Sequence, residues 1–283
     1  MAGMEGKLCV ITGATSGIGL ITAERLAAMG ARLVLVGRDR ARGEAALARI
    51  KALAPRAEVS MHYADLARLD ALRTLAAGLA ALSRIDVLIN NAGAMFWHRE
   101  VTADGLERTF ALNHMAYFVL TALLRDKLAA SSPARIVNVA SDAHRGARLD
   151  FSDLQSKRNY NGIRTYSRSK LCNILFTREL ARRLAGSGVT ANCLHPGFVN
   201  SRFGDNNPGV VGVGTRIVKQ LFAISPERGA ETPVYLASSP AVEGKTGGYY
   251  HQCAPSTPSP EAQDDAAAHR LWEESVGIVG IAA

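Results

Sequence analysis

Tyr166-Ser-Arg-Ser-Lys170 is the pair of side chains best suited to moving a proton. On a helix, positions four apart share a face, so the phenol and the ammonium can reach into one cleft. A free phenol has a pKa of about 10, too high for efficient proton exchange near neutrality. A neighbouring ammonium favours the phenolate, and lowering that pKa by ~3 units takes roughly 4 kcal/mol of differential stabilisation. Tyrosine and lysine at this spacing are more often a surface pair, so the reading needs company. Ser141 closes the run Asn138-Val-Ala-Ser141, where a hydroxyl could hold a substrate oxygen or cap a turn. Asn113 lies in Phe110-Ala-Leu-Asn113-His-Met, an otherwise apolar stretch; a buried amide there needs partners, in a relay or in a neighbouring backbone. His195-Pro196-Gly197-Phe-Val199-Asn-Ser201 has the composition of a turn, and His195 alone is more often a core or loop residue than a catalyst.

A second group of residues suits a dinucleotide. Thr12-Gly13-Ala-Thr15-Ser16-Gly17-Ile18-Gly19 stands between an apolar run and a helical pattern. Glycines permit a tight turn and let backbone N–H groups approach a pyrophosphate, to which a helix N-terminus adds its positive dipole end. The spacing is G-x-x-x-G-x-G, not the G-x-G-x-x-G of the general fingerprint, and an ordinary turn is the bland alternative. The next apolar run ends in Val36-Gly37-Arg38-Asp39-Arg40. An acid at such an end accepts the adenosine ribose hydroxyls and repels a 2′-phosphate. Here a glycine stands in that place and Arg38 follows, a residue that holds phosphate through charge-assisted hydrogen bonds. NADP(H) is therefore expected over NAD(H), unless Arg38 is only a solvated charge or Asp39 serves the ribose. Asp65-Leu66 could offer a carboxylate to an adenine amino group or cap a turn. Asn90-Asn91-Ala92-Gly93 reads as a small-residue turn bracing its neighbours.

Strands and helices must hold these groups in place. Apolar runs predict strands at Lys7–Thr12, Arg32–Val36, Glu58–Tyr63, Val87–Asn90, Arg135–Ala140 and Thr190–Leu194. Helical spacing predicts helices at Ile18–Met29, Arg40–Leu53, Leu69–Leu82, Asp104–Leu128 and Thr165–Ala185. This alternation means βαβ units: a single-domain, Rossmann-type α/β fold, with a doubly wound parallel sheet and helices on both faces. Ser225-Pro226-Glu227 predicts an N-cap with proline at the first helical position, opening a helix to about Ala237. Gly248–Gln252 predicts a last strand, Ala254–Pro260 a linker, and a final helix contains Leu271-Trp272. Doubly wound sheets bind ligands beyond the carboxyl ends of their strands, where the residues above cluster.

Composition narrows the class. At 283 residues, with 48% hydrophobic and 20% charged residues, the chain suits one soluble α/β domain. No apolar run is long enough to span a membrane, and the N-terminus lacks the layout of a signal peptide. The net charge of +8 is spread over helices without a basic tract or interleaved aromatics, so no nucleic-acid partner is expected. Cys9, Cys172, Cys193 and Cys253 are far apart, which fits reduced, buried thiols in the cytoplasm and no metal site.

Thr12-Gly13-x3-Gly17-x-Gly19, Asn90-Asn91-Ala92-Gly93, Asn113, Ser141, Tyr166-x3-Lys170 and Pro196-Gly197 together resemble the short-chain dehydrogenase/reductase family, from about Gly6 to Trp272. One such motif is weak; six in order are specific. The resemblance implies Tyr166 as the acid/base and Lys170 as the residue that binds the nicotinamide ribose and lowers the tyrosine pKa. It further implies that Ser141 orients the substrate oxygen and Asn113 serves a water-linked proton relay. Implied cofactor contacts are Gly13, Thr15, Ser16, Gly17, Ile18, Gly19, Arg38, Asp65, Leu66, Asn91, Ala92, Gly93, Tyr166, Lys170, Pro196, Gly197, Val199 and Ser201. Asp104-Gly-Leu-Glu107, Ser169-Lys-Leu-Cys-Asn-Ile-Leu-Phe176, His195-Pro-Gly197 and the long Ser141–Tyr166 separation resemble the retinol dehydrogenase and WW-domain oxidoreductase group within that family. Two departures stand out: no N-terminal membrane anchor or WW module is seen, and Ser16 stands where many NADP-dependent members carry a base.

The implied activity is hydride transfer between NADP(H) and a small-molecule carbonyl/alcohol pair. Specificity is expected in the insert Asp142–Arg164 and in Arg202–Ile224, either an apolar-faced lid for a lipophilic aldehyde or ketone or a helix packed on the core. The family's habit of pairing long helices implies a homodimer or homotetramer through Asp104–Leu128 and Thr165–Ala185. Two rival readings are a C=C reductase, as in the related light-dependent protochlorophyllide reductases, and an NADP(H)-sensing binding protein without catalysis. Nothing in the sequence indicates a pigment pocket, and the full tyrosine–lysine–serine set is retained.

Overall fold

Strands buried on both faces need mostly apolar side chains, and the central strands here have them, with polar residues such as Thr12, Asn90 and Asn138 towards their carboxyl ends. In the computed structural model, which describes residues 3–197 and 225–281, β1 (Leu8–Thr12) and β4 (Val87–Asn90) are buried throughout. With β2 (Arg32–Gly37), β3 (Val59–Tyr63), β5 (Ala134–Val139), β6 (Val189–Leu194), β7 (Tyr249–His251) and β8 (Ala254–Pro255) they form one sheet ordered β3-β2-β1-β4-β5-β6-β7-β8. All pairs are parallel except β7 with β8. Strand order reverses between β1 and β4, which opens a crevice beyond their carboxyl ends.

Alternate side chains of each strand feed two cores. Leu8 and Val10 pack with α3 (Leu69–Ala80), α4 (Arg108–Phe110 continued through Ala111–Met115 and Ala116–Ala130), α5 (Gly162–Arg183) and α8 (Asp265–Val279). Cys9 and Ile11 pack with α1 (Gly17–Ala28), α2 (Arg40–Leu53) and α7 (Glu231–Ser238). A polar chain links the layers: Asn90 Nδ2 donates to Asn138 Oδ1 (2.9 Å) and to Thr121 Oγ1 (3.1 Å), and Asn138 Nδ2 donates to Thr177 Oγ1 (2.9 Å).

Several elements differ from the sequence expectation. The helix expected from Asp104 starts at Arg108: Gly105 takes a positive φ of 77°, and Glu107 caps the helix through its carboxylate. This helix, α4, runs as Arg108–Phe110, a π-turn Ala111–Met115 and Ala116–Ala130. The helix expected from Ser225 is two pieces, α6 (Pro226–Gly229) and α7, with Ser225 accepting from the Arg228 N–H as its cap. The expected linker Ala254–Pro260 instead supplies β8, after a turn in which Gln252 and Cys253 have positive φ. The segment Arg202–Ile224, expected as a lid or a packed helix, lies outside the described residues, as do Val199 and Ser201.

The final helix is integral to the fold. Trp272 is 4% exposed, stacks on Phe176 of α5 (5.9 Å, 18°) and meets Phe118 of α4 edge-on (5.0 Å, 74°). Arg183 lies over its ring (4.4 Å), and Arg178 and Arg182 pair with Asp265 at 2.8 Å. Among the described residues no helix is long and apolar enough to cross a membrane.

Candidate active site

The turn after β1 is shaped for close approach. Gly13 has a φ of +66°, and a Cβ there would sit 2.8 Å from Ala92 Cα, so the two loops beyond β1 and β4 touch. Thr12 Oγ1 accepts from the N–H groups of Asn91 (2.9 Å) and Ala92 (3.1 Å), and Asn91 Nδ2 donates to Thr12 O (2.9 Å) and Gly13 O (3.2 Å). The Asn91 side chain thus braces β1, as the bracing reading expected. Ser16 is the N-cap of α1, yet its side chain caps no N–H. The first-turn N–H groups of α1 therefore lack a side-chain acceptor, and an incoming pyrophosphate would supply one. Thr15, Gly17 and Ile18 are partly exposed on this rim. The residues present fit a dinucleotide phosphate.

At the end of β2 a Cβ on Gly37 would lie 2.6 Å from Thr15 Cγ2 and 2.7 Å from Met61 Cε, so an acidic side chain there would have to push both side chains aside. Arg38 is exposed and makes no hydrogen bond or ion pair among the described residues. Asp39 is already engaged: its carboxylate accepts from the Arg42 N–H (3.0 Å) and caps α2. Arg40 is stacked over the Tyr63 ring at 4.8 Å. Asp65 Oδ1 accepts from the Ala67 N–H (3.1 Å), the turn-capping alternative, and Leu66 is buried.

The candidate reacting groups meet beyond β5. Ser141 has extended backbone (φ −162°) and its hydroxyl accepts from the Ala143 N–H at 3.2 Å, so it does cap a turn. The half-buried Tyr166 nevertheless shares a hydrogen bond with it, which eases a phenol pKa that burial pushes up to about 12. Lys170 is 3% exposed; burial pushes its pKa down to about 7, and Nζ donates to Val139 O at 2.9 Å. Nζ lies 5.7 Å from the centre of the Tyr166 ring. Lys170 is not among the causes that move the Tyr166 pKa here; the Ser141 hydrogen bond is the one that lowers it. Desolvation dominates both groups, and the ammonium is directed at a carbonyl.

Gly93 adjoins this cluster, since a Cβ there would lie 3.2 Å from Asn113 Oδ1 and 3.4 Å from Lys170 Nζ. Asn113 is fully buried in the π-turn. Its Nδ2 donates to Ala94 O and to Ser169 Oγ, and its Oδ1 accepts from the Ala94 N–H, all at 2.9 Å. The amide is thus committed to backbone and serine partners, and its side chain has no donor left for a relay. His195 is likewise a packed residue, with its ring stacked on His251 (3.8 Å, 12°) and on Tyr249 (5.6 Å, 19°). Pro196 and Gly197 follow it into the crevice end of β6, Gly197 with a φ of +87°.

The sequence model described as "short chain dehydrogenase" matches residues 7–208. The chain belongs to that family. It is 42% identical to retinol dehydrogenase 14 of Homo sapiens over 98% of this chain and 88% of that protein. It is 41% identical to human retinol dehydrogenase 13 over 100% and 87%. Among solved structures, a Mycobacterium paratuberculosis protein described as uncharacterized superposes with a TM-score of 0.81 at 32% identity, covering 99% of this chain and 96% of that one. A short-chain dehydrogenase from Sphingobium yanoikuyae in complex with NADPH superposes with a TM-score of 0.65 at 27% identity, over 81% and 83%. The chain is thus a short-chain oxidoreductase related to the retinol dehydrogenase group, and that family uses NAD(P)(H).

Two contributors were not singled out in the sequence. Val139 O collects Lys170 Nζ, Asn173 Nδ2 (3.4 Å) and Tyr117 Oη (3.4 Å), and a backbone carbonyl leaves no mark on residue type. Glu107 is fully buried and accepts from the N–H groups of Thr109 and Phe110 at 2.8 Å, anchoring the helix that carries Asn113. Its place at the start of a helical pattern was the available signal.

Proposed function

We propose that this chain interconverts a lipophilic aldehyde or ketone with its alcohol, using NADP(H), with Tyr166 as the proton donor or acceptor. The observation that carries the reading is the hydrogen bond joining Tyr166 to Ser141, four residues from a buried Lys170 and beyond the end of β5. In this reading the substrate oxygen sits between the Ser141 and Tyr166 hydroxyls, which fix it and supply its proton. Bound NADPH supplies the hydride. Lys170 holds the nicotinamide ribose and stabilises the phenolate as it forms. Asn113 acts by position: it holds Ala94 beside Gly93 and Ser169 beside Lys170. Gly13 to Gly19, Asn91 to Gly93, Asp65-Leu66 and Pro196-Gly197 line the cofactor, and Val199 and Ser201 are assigned to the same turn from sequence.

NADP(H) is preferred because Gly37 offers no acid to the ribose, Asp39 is engaged in a cap, and Arg38 is exposed for a phosphate. A lipophilic substrate fits the relation to retinol dehydrogenases, and the four unpaired cysteines fit a reducing compartment such as the cytoplasm. The test is oxidation of NADPH and NADH with a panel of aliphatic, aromatic, polyene and steroid carbonyls. Turnover that favours NADPH is expected, and Tyr166→Phe should lose at least ~100-fold in kcat while still binding NADPH. Wild-type turnover by Tyr166→Phe would overturn the reading.

A further inference from the structure

We propose that His144 is a positioning residue for this reaction: a neutral imidazole that holds the Ser141 carbonyl and so keeps the Ser141 hydroxyl against Tyr166. The inference rests on the roles given above to Ser141 and Tyr166. His144 is fully buried three residues after Ser141, and its Nδ1 lies 2.7 Å from Ser141 O. A carbonyl oxygen only accepts, so Nδ1 carries the proton. On the other side of the ring the Ser259 N–H donates to Nε2 at 3.0 Å. A backbone N–H only donates, so Nε2 presents its lone pair. Both partners are main-chain groups that cannot exchange roles, and together they fix one tautomer. A second proton would set two donors against each other, and burial disfavours that charge as well, moving the pKa below its ordinary value.

The ring is also held sideways, its plane meeting Tyr249 nearly edge-on (5.3 Å, 69°), while Tyr249 stacks on His195. Ser141 O accepts from the His144 N–H too (3.3 Å), and Ser141 Oγ caps the same 3-10 turn, Asp142–His144, through the Ala143 N–H. Carbonyl and hydroxyl of Ser141 thus belong to one short turn closed by the imidazole. Releasing the carbonyl frees that turn to rotate and carries the hydroxyl away from Tyr166. Ser259 lies beyond β8, so the C-terminal strap takes part in placing a residue of the reaction.

His144→Asn and His144→Gln separate the two bonds. Asparagine carries its Nδ2 at the atom position of Nδ1 and can still donate to Ser141 O. Glutamine reaches one carbon further and can only serve the Ser259 N–H. Both variants lose the ring and one hydrogen bond, so their melting temperatures should fall together. With NADPH binding followed by cofactor fluorescence and unchanged in both, His144→Gln should lose about 100-fold in kcat, as expected for a misplaced reacting group, with little change in KM. His144→Asn should stay within about tenfold of the wild type, a difference a purely structural residue would not produce. Equal kcat for the two variants, with Ser141→Ala inactive, overturns the role of His144 alone. Wild-type turnover by Ser141→Ala overturns the role of Ser141 and this proposal with it.

Discussion

Burial moves Tyr166 and Lys170 in opposite directions, to about 12 and about 7, away from the pairing that the sequence suggested. The Lys170 shift has a thermodynamic consequence for the ligand-free chain. Unfolded, the amine stays protonated up to about 10.5; folded, it loses its proton near 7. Between those values the unfolded state binds the extra proton, so this residue makes stability rise with pH from about 7 to about 10.5. Urea titrations across that range should show a flatter pH dependence for Lys170→Met than for the wild type. An identical slope would mean that Lys170 is not desolvated. A second residue-scale prediction concerns Arg38. Replacing it with alanine should weaken NADPH binding by ~1.5–3 kcal/mol, the worth of a hydrogen bond to a charged group, and leave NADH binding nearly unchanged. Fluorescence titration with both cofactors measures this directly, and equal losses for the two would return Arg38 to the solvated surface. Residue types singled out Tyr166 and Ser141, which the fold joins by a hydrogen bond, and Arg38, which it leaves exposed. They could not show that the Asn113 amide is consumed by Ala94 and Ser169, because hydrogen-bond partners are set by tertiary approach.

At the scale of elements, strands were legible because buried parallel strands need near-continuous apolar runs, as in Leu8-Cys9-Val10-Ile11 of β1 and Val87-Leu88-Ile89 of β4. Helix boundaries were less so where a cap comes from an unusual residue. Glu107 begins α4 in place of the expected Asp104, because its carboxylate reaches two first-turn N–H groups at once. The π-turn Ala111–Met115 was invisible, since an i to i+5 hydrogen bond leaves no trace in an apolar pattern. Glu107→Ala leaves both N–H groups buried without an acceptor and should cost about 2–3 kcal/mol, read from chemical denaturation. Glu107→Gln keeps one acceptor oxygen and should lose about half as much. If the alanine variant lost stability but kept full kcat, the cap would be structural and without influence on the Asn113 turn.

At the scale of the whole molecule, the doubly wound sheet followed from the strand–helix alternation, but the position of the last helix did not. A short amphipathic segment reads the same whether it dangles or docks, and only the tertiary structure shows Trp272 between Phe118 and Phe176. That docking bears on assembly. From Ser169 to Ala181 of α5, every residue but Arg178 is buried within this one chain, and the exposed positions of Ala116–Ala130 in α4 are Arg125, Asp126 and Ala130. A second copy that paired through the covered stretch of α5, within the helices the family resemblance suggested, would displace α8 and its ion pairs from Arg178, Arg182 and Arg183 to Asp265 and Glu273. Interfaces between stable partners need an apolar centre, and α8 covers the apolar face around Phe118 and Phe176. Trp272→Ala should therefore act twice. Removing the ring should cost about 3–5 kcal/mol, as for other buried large-to-small changes, and lower the melting temperature. Exposing Phe118 and Phe176 should also raise the apparent mass in light scattering after size exclusion, relative to the wild type at equal concentration. A wild-type dimer that Trp272→Ala dissociates would reverse this order and place α8 in the subunit interface, where it would serve as the contact and not the cover.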